Sequence, residues 1–68
     1  MNPILVKRID GKYEEKLDDG WLVEYAEDTD TGLWAIEIFK HDVAMWRGID
    51  YPSLEEAQQV AHAYYDQA

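Results

Sequence analysis

Ser53-Leu54-Glu55-Glu56-Ala57-Gln58-Gln59-Val60-Ala61-His62-Ala63-Tyr64 is the stretch that decides how this chain is built, because its apolar positions recur at helical spacing. Ser53 suits an N-cap, with Glu56 three residues on completing a capping box and Glu55 and Glu56 favouring the macrodipole in the first turn. Leu54, Ala57, Val60, Ala61 and Tyr64 then fall on one stripe, and Glu55, Gln59, His62 and Asp66 lie mostly opposite. A helix of about 14 residues is marginal alone in water. It therefore needs a partner surface, and the residues before it supply one.

Leu33 to Lys40 alternates as a strand, with Trp34, Ile36 and Ile38 on one face and Leu33, Ala35, Glu37 and Phe39 on the other. Trp21 to Glu27 does the same with Trp21, Val23 and Tyr25, and the polar loop Asp28-Thr29-Asp30-Thr31-Gly32 joins the two. On the far side, His41-Asp42 turns the chain into a fifth strand, Val43 to Asp50, where Gly48 marks a bulge or a close backbone approach. Towards the start, Asp10-Gly11 predicts a two-residue type I′ hairpin between strands Ile4 to Ile9 and Lys12 to Leu17, and Asp18-Asp19-Gly20 makes the next break. The expectation is an α+β fold. It is an antiparallel meander of four to five strands with one C-terminal helix packed on one face, forming one acidic domain over residues 1–68.

Composition narrows the function. The chain has 68 residues, 47% of them hydrophobic, with nine aromatics available to a small core and no cysteine for a disulfide or thiolate cage. No apolar run approaches a membrane span, and Met1 to Val6 followed by Lys7-Arg8 has the wrong order for a signal peptide. A cytoplasmic protein is expected, in the host cytoplasm if the chain is phage-encoded. Fifteen acids against six bases leave a net charge of −9, which disfavours direct nucleic-acid or anionic-membrane binding and favours a basic partner.

That acidity is concentrated. Glu14, Glu15, Asp18, Asp19, Glu24, Glu27, Asp28 and Asp30 stand within seventeen positions with Lys16 as the one base, a net −7, whereas residues 1–12 are net +2 and residues 31–68 net −4. Carboxylates at this density can imitate a nucleic-acid backbone and occupy a basic groove on another protein, or they can simply form a solvated, aggregation-resistant edge. Asp28-Thr29-Asp30-Thr31-Gly32 does not read as a calcium loop, since Leu33 and Phe39 stand where an EF-hand needs Gly and Glu. His41 and His62 lack a nucleophile beside them, and the single Ser is explained as a cap, so neither an enzyme nor a cofactor is expected.

One helix cannot cover both faces of such a sheet. Leu33, Ala35, Phe39, Met45, Ile49 and Tyr51 are expected to remain partly exposed opposite the helix, with Phe39 or Trp46 as apolar anchors for a partner. The stretch Trp21 to Ala68, three strands and a helix opened by Tyr51-Pro52-Ser53-Leu54-Glu55-Glu56-Ala57, resembles the core of HicB-type antitoxins and the small arm-binding domains of phage integrases. No residue role is carried over from either, and an arm-binding domain would have a basic sheet. In size and charge the chain is similar to small phage-encoded inhibitors of host defence, including anti-CRISPR proteins. Two expectations follow. One is a non-enzymatic inhibitor, monomeric or homodimeric, whose eight acids occupy the basic surface of a nucleic-acid-binding enzyme or effector complex. The other is a small antitoxin-like regulatory or assembly module that dimerises through its uncovered sheet face.

Overall fold

The computed structural model describes residues 4–68; Met1, Asn2 and Pro3, which open the signal-peptide argument, lie outside it. Five strands, β1 (Ile4–Lys7), β2 (Tyr13–Lys16), β3 (Trp21–Glu27), β4 (Trp34–Lys40) and β5 (Val43–Tyr51), form one antiparallel sheet in chain order, followed by α1 (Leu54–Gln67). The α+β meander expected from the sequence is the observed fold. The Ser53 hydroxyl accepts the Glu56 amide at 3.1 Å, which is the N-cap bond of the expected capping box; the reciprocal bond from the Ser53 amide to the Glu56 carboxylate is not made.

Because side chains alternate across each strand, the pairing Tyr13↔Tyr25↔Ile36 and Glu15↔Val23↔Ile38 stacks one set of side chains on a single face. The helix covers that face. Val23, Tyr25, Ile36 and Ile38 are buried with Trp21 beneath Ala57 and Ala61, whose small side chains let the helix approach closely. Tyr64 stacks on Trp46 at 5.5 Å and meets the edge of Trp21, fixing the far end of the helix.

The turns differ from the sequence expectation in an instructive way. Lys7 pairs with Tyr13, and the Arg8 amide donates to the Lys12 carbonyl at 2.7 Å, leaving a three-residue loop of Ile9, Asp10 and Gly11. Only Gly11 has positive φ there, so this is a type I turn with a glycine bulge and not the type I′ pair expected at Asp10-Gly11. The type I′ turn sits at His41-Asp42, where both residues have positive φ and Lys40 pairs with Val43. Strand register decides between the two: Tyr13 and Leu5 pack towards the helix, which fixes Lys7 against Tyr13 and leaves three residues to close the hairpin.

β5 is bulged on either side of Gly48, which itself pairs regularly with Ile36. A side chain at Gly48 would collide with the Tyr51 hydroxyl and the Trp46 ring, so the position serves a close approach on the helix side.

Candidate functional site

In an antiparallel meander every second connection falls at the same end of the sheet, and this rule distributes the acids. Asp18 and Asp19 occupy the β2–β3 loop at one end, beside the His41-Asp42 turn, with the His41 amide donating to the Gly20 carbonyl at 3.0 Å. Glu27, Asp28 and Asp30 lie at the opposite end, about 23 Å away along the seven residues of β3. The eight acids named from the sequence therefore do not converge on one surface.

Two of them lie on the uncovered face, where Glu14 pairs with Glu24 and Glu24 with Glu37 in a row continued by Arg47. Like charges directly opposite one another are unfavourable. Arg8 relieves them from the β1 side, reaching Glu24 at 2.8 Å, Asp10 at 2.9 Å and Glu14 at 4.0 Å, while Arg47 approaches Glu37 at 3.8 Å. The eighth acid, Glu15, is only 2% exposed and faces the helix. Its Oε1 accepts the Tyr25 hydroxyl at 2.7 Å and contacts His62 Nε2 at 2.9 Å, tying α1 to β2 across 47 residues of sequence. Burial, then the bond to Glu15 and its charge, push the Tyr25 phenol far above its ordinary range. Glu15 thus stabilises the fold and presents no carboxylate to a partner.

The apolar anchors separate as well. Phe39 is half-buried on the uncovered face between Leu22 and Ala44, whereas Trp46 is on the covered side against Tyr64. Tyr51, expected on the uncovered face, pairs with Trp34 and packs against the core. Ala35 and Ile49 do border the uncovered face, around a shallow hollow floored by Ala26 and Ala35.

Charge is segregated in a manner no linear count reveals. Arg8, Lys12, Lys16 and Arg47, four of the six bases, share the uncovered face with Glu14, Glu24 and Glu37 and with Asp10, which Arg8 holds at its edge, so that face carries no net charge and the remainder of the molecule −9. At the end bearing the β3–β4 loop, Asp10, Glu27, Asp28, Asp30, Asp50, Glu55 and Glu56 are all exposed. Asp10, Asp28 and Asp30 sit on the β1–β2 and β3–β4 connections, Glu27 and Asp50 at the ends of β3 and β5, and Glu55 and Glu56 in the first turn of α1, and together they form an acidic rim. Asp10, Asp50, Glu55, Glu56 and Glu37 were absent from the sequence-based set. The alternation of connections could have supplied the first four, because it needs only the strand count and direction.

Within the rim the β3–β4 loop is well fixed: Asp28 Oδ1 accepts the Asp30 amide at 2.9 Å and the Asp28 carbonyl accepts Gly32 at 2.7 Å. Among the described residues, no group of three or more His, Asp or Glu side chains gathers in a metal-binding arrangement, and no helix is long and apolar enough to cross a membrane. Comparison with protein families, curated proteins and solved structures finds no match to this chain.

Proposed function

We propose that this chain is a non-enzymatic binding protein whose acidic rim occupies a basic, nucleic-acid-binding surface of another protein and inhibits it by blocking access. The observation that carries the reading is the gathering of seven exposed carboxylates at one end of the sheet, from two loops, two strand ends and the first turn of the helix. Fixed carboxylates on a rigid frame present charge to a basic groove without the ordering cost of a flexible acidic tail. Of the acids first named, Glu27, Asp28 and Asp30 belong to this surface. Asp18 and Asp19 form a second, smaller acidic end. The size and charge shared with small phage-encoded inhibitors of host defence fit a nucleic-acid-guided or nucleic-acid-cleaving target.

The test is a pull-down with the tagged chain at low and high salt, followed by competition with duplex DNA and RNA. The expected result is a nucleic-acid-binding protein retained at low salt, released at high salt and displaced by the nucleic acid it binds. Reversing Glu27 and Asp30 to Lys, which leaves the Asp28 hydrogen bond of the loop in place, should abolish retention while the far-ultraviolet spectrum stays unchanged. Retention that is indifferent to salt, to competitor and to this reversal would overturn the reading.

A further inference from the structure

We infer that the uncovered sheet face is the contact surface for a second copy of this chain, packed face to face about a two-fold axis parallel to the strands and lying between β3 and β4. This does not rest on the function proposed above, because it uses the opposite kind of surface. Two copies of a chain with net charge −9 repel each other through the rim, the ends or the helix. The uncovered face, which carries no net charge, is where two copies meet with the least repulsion, and the acidic bodies then point outward.

The register makes this face self-complementary about that axis. The rotation exchanges β3 with β4 and β2 with β5. Leu22 then lies against Phe39 of the other copy, Ala26 against Ala35, and Glu14 against Arg47, each contact occurring twice. Arg47 is 74% exposed and holds Glu37 only loosely at 3.8 Å, so its guanidinium is available to a second carboxylate. The arrangement brings Glu24 beside Glu37 of the other copy, and that is its main cost. Arg8, which bonds Glu24 at 2.8 Å, offsets part of that cost.

Strands about 4.8 Å apart with a rise of about 3.3 Å per residue make an overlap roughly 20 Å on a side. With the relief of its side chains this is on the order of 600 Å² per copy, at the small end of specific interfaces. A weak, reversible dimer is the expected assembly. Another acidic protein could be drawn to the same face, and the test separates that occupant from a second copy.

Sedimentation of the purified chain at low and high salt, across a wide concentration range, reads the outcome. The expected mass is twice 8.0 kDa at high concentration, with the dimer strengthened by salt as the repulsion between the acidic bodies is screened. Arg47→Glu and Glu14→Arg should each weaken self-association by about tenfold. An equimolar mixture of the two variants should restore it, since every reversed charge then meets its opposite. Far-ultraviolet spectra of both variants establish that they fold. A monomer at every concentration and salt would overturn the inference. So would a dimer insensitive to both reversals, which would indicate pairing along a strand edge.

Discussion

The two faces of this sheet are made from the same strands and differ by a single residue step. On the covered face, Val23, Tyr25, Ile36 and Ile38 are buried beneath the helix, and the one carboxylate among them, Glu15, takes two polar partners on a single oxygen. On the uncovered face, Glu14, Glu24 and Glu37 lie side by side with arginines at either flank and water above. Glu14 and Glu15 are neighbours in sequence and of the same residue type, yet one belongs to a solvated row and the other to the core. Charge is tolerated in either place for different reasons: two polar partners on one oxygen inside, solvent and loose ion pairs outside.

That contrast can be broken most forcefully with the adjacent pair Ile38 and Phe39. Ile38 is fully buried, so Ile38→Ala should cost about 2–5 kcal/mol in urea unfolding. Phe39→Ala, on the half-wet side, should cost about 1 kcal/mol in the monomer, nearer the value for a partly exposed side chain. Equal losses would mean that the two faces are not energetically distinct.

Removing one partner of the buried carboxylate comes next in size. Tyr25→Phe deletes a donor to Glu15 and should cost about 1–3 kcal/mol. The same residue sets an alkaline limit. Its phenol is raised in the folded state, so the unfolded chain loses its proton first; the stabilisation is complete below the ordinary tyrosine pKa of about 10 and falls as pH rises beyond it. Denaturation midpoints measured from pH 8 upward should therefore fall above about pH 10 in the parent chain. The Tyr25→Phe variant should lack this component of the decline, and identical alkaline profiles would contradict the assignment.

The smallest effect is expected on the solvent side of the sheet. Arg8→Ala removes contacts to Asp10, Glu14 and Glu24, but at a side chain 35% exposed the change should be about 1 kcal/mol or less and should shrink as salt rises. A salt-independent loss as large as that of Tyr25→Phe would show that the uncovered row is held as tightly as the core.

Local signals carried much of this fold. Ser53 and Glu56 with the stripe from Leu54 to Tyr64 specify the helix, and the alternation through Trp21–Glu27 and Trp34–Lys40 specifies two central strands. Turn type was less legible, because Asp10-Gly11 has the composition of a type I′ pair while the number of loop residues is set by which side of Tyr13 must face the helix. Glu15 meets His62, which stands 47 residues away, and nothing in Glu14-Glu15 marks which carboxylate turns inward. The same limit applies to the surface. Proximity in sequence grouped Asp18 with Asp28, whereas the meander separates them to opposite ends and brings Asp10, Asp50 and Glu55 to the latter.

The measurement that addresses the charge segregation most directly is an amide chemical-shift titration of the labelled chain with an oligolysine peptide at low salt. The largest shifts are expected on the rim, at Asp10, Glu27 to Gly32 and Asp50 to Glu56, with little movement of Leu22, Glu24, Ala35 and Phe39 on the uncovered face. Shifts centred on the Glu14, Glu24 and Glu37 row, or spread evenly over every acidic residue, would contradict it.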